Sequence, residues 1–374
     1  MSTNLNARAW VQVQADALRE NYTRIAKSVA PEARVLPMVK ADAYGLGVDR
    51  VVAHLERLNP WGYGVATVEE GRFVRGLGVE RPIVVCSPTP IGELSRAIDA
   101  ELDLSISSLT LLARANDAAR AAGRMARVHI EVDTGMGRSG FDWRTHEEWL
   151  PVLFAERAHT EWVGCYTHLH SADTDPASVE DQWTRLSVVL AALEELPETP
   201  MVHLLNSAGV FRVPGLAKAL VRSGIFLYGG EIGLGQPTPE AVASVHARVV
   251  HIRDVPVGTT LGYGATYSAQ TEERWATLSI GYGDGLPRAL GNCGSALLAG
   301  RRVPLIGRIS MDVTVVNITD VPEVEEGSVA TLIGRVGDEA ITVDEVAGLA
   351  GTISYEIFTG LTARLPRIWS DEGA

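Results

Sequence analysis

The sequence predicts an α/β protein: a (β/α)8 TIM barrel followed by a mostly β C-terminal domain. Two observations predict it. From about residue 33 to 230, eight short β-rich runs alternate with helical patterns. After about residue 240 the β runs continue, but Gly- and Pro-containing turns replace the helices between them. A chain of 374 residues has room for both units. For the first unit, periodicity alone leaves an open doubly wound sheet as the alternative.

The eight runs are Arg34–Lys40, Gly62–Thr67, Pro82–Cys86, Leu102–Ser107, Ala126–Asp133, Trp162–His168, Val202–Asn206 and Leu220–Ser223. The clearest helix between them is 178–195, with apolar residues at helical spacing after Asp175-Pro176. Thr67…Glu70 and Thr145…Glu148 read as capping boxes. A linker-like GQPTP stretch spans 235–239. Beyond it, Val249–Val257, Trp275–Ile280, Arg302–Ile309, Val313–Ile318 and Val329–Ile333 read as strands, and 343–350 as a helix.

Composition narrows the function. Thirty-three basic and 46 acidic residues give a net charge of −13, which argues against nucleic acid as a partner. No apolar run of about 18 residues is free of charge, so no membrane span is expected. The first residues hold no apolar signal core, and a cytoplasmic protein is expected. Cys86, Cys165 and Cys293 are far apart and form no CxxC pair. They suggest neither a zinc site nor a disulfide framework, so no metal is expected and a reducing compartment suits them.

Gly135-Met-Gly-Arg-Ser-Gly140 matches GxGxxG, but it follows the fifth strand and no acid ends the next strand. Dinucleotide binding is therefore not the reading. In a barrel, active groups gather at the C-terminal strand ends. Lys40, Arg138, His168, Ser207 and Arg222 all sit at or just after such ends and would share one mouth. The loops after strands seven and eight, Asn206-Ser207-Ala208-Gly209 and Ser223-Gly224-Ile225, can present amides to a phosphate; ordinary turns are the plainer alternative.

Only Lys27, Lys40 and Lys218 are lysines. Lys40 ends an apolar strand, where burial would favour a neutral, nucleophilic amine. A snorkelling, salt-bridged lysine is the alternative. A phosphate site beside an inward lysine is what an aldehyde cofactor, pyridoxal 5'-phosphate, requires.

Nine ordered motifs then resemble the bacterial alanine racemases. They are VKADAYGLG (39–47), DTGMGRSGF (133–141), YTHLHSAD (166–173), NSAG (206–209), RSGIFLYG (222–229), GYGATY (262–267), GYGDG (281–285), GRISMD (307–312) and TISYE (352–356). The resemblance implies a fold-type III pyridoxal-phosphate enzyme acting as a head-to-tail homodimer on a small amino acid. It implies three parts: an N-terminal strand within 1–14 that joins the C-terminal domain, a barrel over 15–240 and the β domain over 241–374. Lys40 would carry the cofactor. Tyr44, Ser207, Gly224, Ile225 and Tyr355 would hold its phosphate. Arg222 would face the pyridine nitrogen, with His168 beside it. Arg138 and the Met311 backbone would meet the substrate carboxylate. Tyr263, Met311 and Asp312 would come from the other subunit.

Racemisation needs a base on each face of a planar intermediate, and the resemblance assigns these to Lys40 and Tyr263. A free phenol has a pKa near ~10, so Tyr263 needs help at neutral pH, which a His168–Arg222 network could give. An arginine at the ring nitrogen, always protonated itself, keeps that nitrogen unprotonated and favours quick reprotonation over side reactions.

Two positions depart from the family. Many members have a lysine, often carbamylated, where this chain has Glu131, and a cysteine where it has Ser310. The alternation of Ala126–Asp133 turns Arg127, His129, Glu131 and Asp133 toward the barrel interior. A buried Glu131 needs a partner, and Arg138 is the expected one, with Arg127 or His129 as alternatives. A serine or broad-specificity racemase, a related decarboxylase and a non-catalytic cofactor carrier are the competing functions.

Overall fold

Eight parallel strands form the first sheet, and the computed structural model describes residues 6–193 and 200–370 of the chain. The order across the sheet is Arg34–Val35, Leu220–Val221, Met201–His203, Thr160–Tyr166, Ala126–Asp133, Asp103–Ile106, Ile83–Pro88 and Tyr63–Val65. The two ends of this run meet. Met38 bridges Gly64 in parallel, with Gly64 N donating to Pro37 O at 2.9 Å and Val39 N to Gly64 O at 2.8 Å. The sheet is thus the closed barrel of the sequence reading, not the open alternative. Its strands are buried on both faces, so Ile83-Val-Val and Val128 to Val132 are apolar or internally paired throughout.

The helices cover the outside through apolar stripes. The Ala15–Val29 helix buries Leu18, Tyr22, Ile25 and Val29, spaced three or four apart. Each such side chain contributes about 1.5–3 kcal/mol on burial. Thr67 and Glu70 form the expected capping box at the Val68–Gly76 helix. Thr145 does not form one: its side chain makes no cap bond to the His146–Ala155 helix. Its hydroxyl reaches back to Asp142 O instead. The expected 178–195 helix starts at Pro176 and runs to Leu193; residues 194–195 lie outside the described residues.

The second sheet runs Glu339–Ile341, Val329–Val336, Ser295–Leu298, Arg301–Ile306, Thr314–Asn317, Glu273–Leu278, Ala243–Val255, Ala9–Val13 and Arg367–Trp369. Val329–Val336 also pairs with Ala243–Val255, which closes the inner strands into a ring. Ala9–Val13 pairs antiparallel to Ala243–Val255 and parallel to Arg367–Trp369, so the first and last of the described strands lie side by side in this sheet. Ser295–Leu298, Glu339–Ile341, Arg367–Trp369 and the helix Ser354–Gly360 were not expected from the sequence. They are short, and tertiary pairing outweighs weak local signals there.

One backbone feature places the first candidate residue. Ala41, Asp42, Ala43 and Tyr44, directly after Lys40, all have left-handed φ values of 52–56°. Such a turn costs about 1–2 kcal/mol per residue for an L-amino acid. It is held from outside: Glu70 Oε1 accepts from Ala41 N at 2.7 Å, and Asp42 Oδ1 from Val48 N at 2.8 Å.

Candidate active site

The mouth of the barrel, at the C-terminal strand ends, opens as a cleft. Lys40, Tyr44, Glu131, Arg138, His168, Ser207, Arg222, Gly224, Ile225 and Tyr355 all line it. Met38, Cys86 and Tyr166 line it too, and the sequence had not marked them as site residues. Burial pushes the Cys86 thiol up to about 11, so it stands as an un-ionised wall group. The expected Trp162–His168 strand lies two residues earlier, at Thr160–Tyr166, which leaves His168 in the loop that follows.

Lys40 is exposed at the rim, not buried as its place after an apolar strand suggested. The left-handed turn follows Lys40 directly, and Lys40 still lines the cleft, its charge acting on His168 and Cys86. Lys218, by contrast, lies over the Trp183 ring at 4.6 Å, and neither Lys27 nor Lys218 lines the cleft.

Opposite Lys40, the loops after strands seven and eight close on each other. Ser207 Oγ accepts from Gly224 N at 2.9 Å and lies 3.0 Å from Ser223 Oγ. The Tyr44 ring stacks on Tyr228 at 4.6 Å, and its hydroxyl sits against Gly224 so closely that any Cβ there would overlap it. Burial holds the Tyr44 phenol far above its ordinary range, so it is a hydrogen-bond donor. Hydroxyls, backbone amides and a glycine that admits close approach form a cradle for a phosphate monoester. With an amine across the cleft, the residues present fit pyridoxal 5'-phosphate.

Arg222 is the cleft's buried cation. Its Nη2 donates to Thr167 O at 2.7 Å and lies 3.4 Å from His168 Nδ1. Its Nη1 donates to His203 Nδ1 at 2.8 Å and His203 O at 3.0 Å. His168 is driven down to about 3 by burial, then by Arg222, Arg138 and Lys40, and is neutral at physiological pH.

Glu131 corrects an expectation. It is buried and faces the interior as the strand alternation requires, but it does not pair with Arg138, Arg127 or His129. Ser139 Oγ donates to Glu131 Oε1 at 2.8 Å, and Oε2 has no hydrogen-bond partner. Arg127 and His129 are both taken by Asp103. Burial pushes the Glu131 carboxyl up, against the pull of Ser139, Arg222 and Arg138.

Tyr263, Met311 and Asp312 do not line this cleft. Tyr263 is 71% exposed on the short turn Tyr263–Ala265, and Met311 is 52% exposed. The Met311 loop is fixed from beneath. Gly283 N donates to Met311 O at 2.8 Å, and Arg364 bridges Asp312 at 2.7 Å to the buried Asp284 at 3.1 Å. The GxGxxG segment leads into the strand Phe141–Asp142 rather than a helix, as its rejection for nucleotide binding required. Among the described residues, no cluster of His, Cys, Asp or Glu could hold a metal ion, and no helix is long and apolar enough to cross a membrane.

Comparison with known proteins agrees with this geometry. Residues 13–232 match the family model for the alanine racemase N-terminal domain, and 242–369 that for its C-terminal domain. The alanine racemase of Symbiobacterium thermophilum is 37% identical, with 98% of each chain covered. That of Nostoc sp. is 35% identical over 96% of this chain and 95% of its own. Among solved structures, alanine racemase from Streptomyces lavendulae superposes with a TM-score of 0.91 at 29% identity, covering 97% of both chains. The Bacillus anthracis enzyme with bound L-Ala-P superposes with a TM-score of 0.90 at 32% identity, covering 98% of this chain and 96% of that one.

Proposed function

The chain belongs to the alanine racemase family and is an amino-acid isomerase, and we propose that it interconverts L- and D-alanine with pyridoxal 5'-phosphate, using Lys40 and Tyr263 as the two bases. The observation that carries this reading is the convergence at one barrel mouth of Lys40, the Ser207–Gly224 cradle and a buried arginine, Arg222. When bound, the cofactor supplies an aldehyde for amine condensation and an electron sink that acidifies the α C–H.

The chain's own residues do the rest. Ser207, Tyr44, Tyr355 and the amides of Gly224 and Ile225 hold the phosphate. Arg222 would donate an N–H to the ring nitrogen and, being far too weak an acid to transfer that proton, would keep it unprotonated. Arg138 holds the substrate carboxylate at the rim, aided by the Met311 backbone. Lys40 takes or returns a proton on one face. Tyr263 does not line its own chain's cleft, so in this reading the base on the other face is Tyr263 of a second copy. Tyr263, Tyr282, Met311, Ile353 and Tyr355 are all large, exposed side chains, which suits a face covered by that copy. Covering it would also desolvate Lys40, which this chain alone leaves exposed. The product D-alanine serves cell-wall synthesis in this reading, and the three free cysteines suit the cytoplasm.

Chiral chromatography of L-alanine and L-serine incubated with the purified protein tests the reading. D-alanine is expected as the main product. Predominant D-serine would move the assignment to a serine racemase, and no D-amino acid at all would overturn it.

A further inference from the structure

Below Arg222, the barrel interior holds two histidines that the reaction does not use. His203 Nε2 lies 2.9 Å from His129 Nδ1, and His129 Nε2 lies 3.3 Å from Asp103 Oδ2. All three are buried. Asp103 opens its strand at the floor of the barrel, while Arg222 follows its strand at the mouth. The chain Arg222–His203–His129–Asp103 therefore runs the height of the barrel.

Its ends fix its protons. A guanidinium has no acceptor, so His203 Nδ1, 2.8 Å from Arg222 Nη1, must carry a lone pair. Neutral His203 then has its proton on Nε2 and donates to His129 Nδ1. The His129 proton is left on Nε2, aimed at Asp103. An ionised carboxylate only accepts, so the far end demands the same order. An imidazolium at either ring would set two hydrogens against each other or against Arg222. Only one arrangement satisfies all three contacts, and both imidazoles are neutral in it.

The surroundings are built for it. Tyr166 stacks on His203 at 4.9 Å, and the Arg222 guanidinium lies over Tyr166 at 4.8 Å. Gly164 is the position beside His129 where any Cβ would overlap the ring. Burial and the neighbouring Arg222 hold His203 well below the ordinary imidazole range, as a neutral ring requires. Against the upward push of burial, the hydrogen bonds from His129 and Arg127 and the Arg127 charge pull the Asp103 carboxyl down.

We propose that Asp103 is a positioning residue for Arg222, setting the tautomers of His129 and His203 so that His203 Nδ1 accepts from the arginine and fixes its orientation in the cleft. The catalytic consequence rests on the racemase reading; the tautomers do not. The competing role is that Asp103 only anchors Arg127, which binds it at 2.8 Å and also reaches Glu161.

The test is 15N NMR of histidine-labelled holoenzyme, wild type against Asp103→Leu, Asp103→Asn and Arg127→Gln. Wild type is expected to show neutral Nε2–H tautomers at both rings. Asp103→Asn, which keeps an acceptor, is expected to retain them. Asp103→Leu is expected to lose the Nε2–H signature of His129 and to drop kcat at least about tenfold, with KM for alanine within about threefold. Arg127→Gln is expected to leave tautomers and kcat within about twofold of wild type. A proton on His203 Nδ1 in the wild type overturns the proposal, and that measurement needs no variant to fold. Matching losses in Arg127→Gln and Asp103→Leu overturn it in favour of the anchor. If no variant and no wild type racemises alanine, the functional reading fails while the tautomer pattern still decides the relay.

Discussion

The Ser139 hydroxyl, and not the Arg138 guanidinium, is the hydrogen-bond partner of Glu131. The two candidates are neighbours in sequence, and the loop after Asp133 brings the serine to Glu131 and the arginine to the cleft. Glu131 Oε2 is left buried and unpartnered, and burial raises the carboxyl's pKa. A native carboxyl with a raised pKa keeps a proton that the unfolded chain releases. Its contribution to stability therefore falls as pH climbs from the ordinary carboxyl range through the raised native value. Glu131→Gln keeps an acceptor for Ser139 and removes the buried charge. It is expected to be more stable than wild type by about 1 kcal/mol at pH 8, with no difference near pH 4. Denaturant unfolding at the two pH values checks this, and a destabilised variant at pH 8 would count against it. KM for alanine is expected to move less than about threefold, because Glu131 does not touch Arg138.

Glu70 holds three backbone amides at once: Ala41, Ala66 and Thr67. The last belongs to the capping box; the first pins the left-handed turn that sets Lys40. Glu70→Ala releases both. A loss of about 1–3 kcal/mol in stability is expected, together with weakened cofactor loading read from its absorbance band. Asp99→Ala, on a different helix, serves as the control and is expected to leave loading unchanged. Normal loading in Glu70→Ala would mean the turn holds itself.

Gly224 has an ordinary negative φ of −122°, so its requirement is one of space, not of backbone strain. A methyl group there meets the Tyr44 hydroxyl. Gly224→Ala is expected to push Tyr44 from the cradle at about 1–3 kcal/mol. That is about 5- to 150-fold in the Kd for pyridoxal 5'-phosphate, measured by fluorescence titration. An unchanged Kd would remove Tyr44 and Gly224 from the phosphate site.

How far the site was legible depended on what fixes each residue. Lys40, Ser207, Arg222 and Gly224 could be found because strand ends define the barrel mouth and the strands were readable one at a time. Ser139 and the Asp103–His129–His203 chain could not. Their contacts depend on which side chains meet across the barrel interior, between strands as far apart in sequence as 103 and 203. His129 was correctly turned inward by alternation, yet its partner lay on another strand. The turn at Ala41–Tyr44 left no signal either, since those residues favour right-handed backbone and only Gly45 and Gly47 hint at a reversal.

His168 adds a pH term of definite sign. Its native pKa is lowered to about 3, first by burial and then by Arg222, Arg138 and Lys40. Between the unfolded value near ~6.5 and the native one, the unfolded chain binds one more proton from this group. Its contribution is thus present above about pH 6.5 and is lost progressively on acidification. His168→Asn is expected to reduce the acid dependence of stability by up to about one proton between pH 6 and 4. Unfolding free energies measured across that range give the slope, and an identical slope in the variant would place the acid sensitivity elsewhere.

Lys40 and Tyr263 fall in the regions matching the N-terminal and the C-terminal family domains, and Tyr263 is exposed and does not line the cleft. If each site takes its second base from a neighbouring copy, two dead variants can repair each other. Lys40→Ala and Tyr263→Phe should each be inactive alone. A dimer of one with the other has one site carrying both defects and one site carrying neither. Random pairing of equal amounts makes half the dimers mixed, so about a quarter of the wild-type activity should return. Mixing must include subunit exchange, checked by native mass spectrometry of a size-tagged chain. Exchange with no recovered activity would mean that both bases act within one chain or that one of them is misassigned. Borohydride reduction of the Tyr263→Phe protein separates these outcomes. A tag on Lys40 retains that residue and moves the doubt to Tyr263, while a tag on Lys27 or Lys218 removes Lys40 from the mechanism.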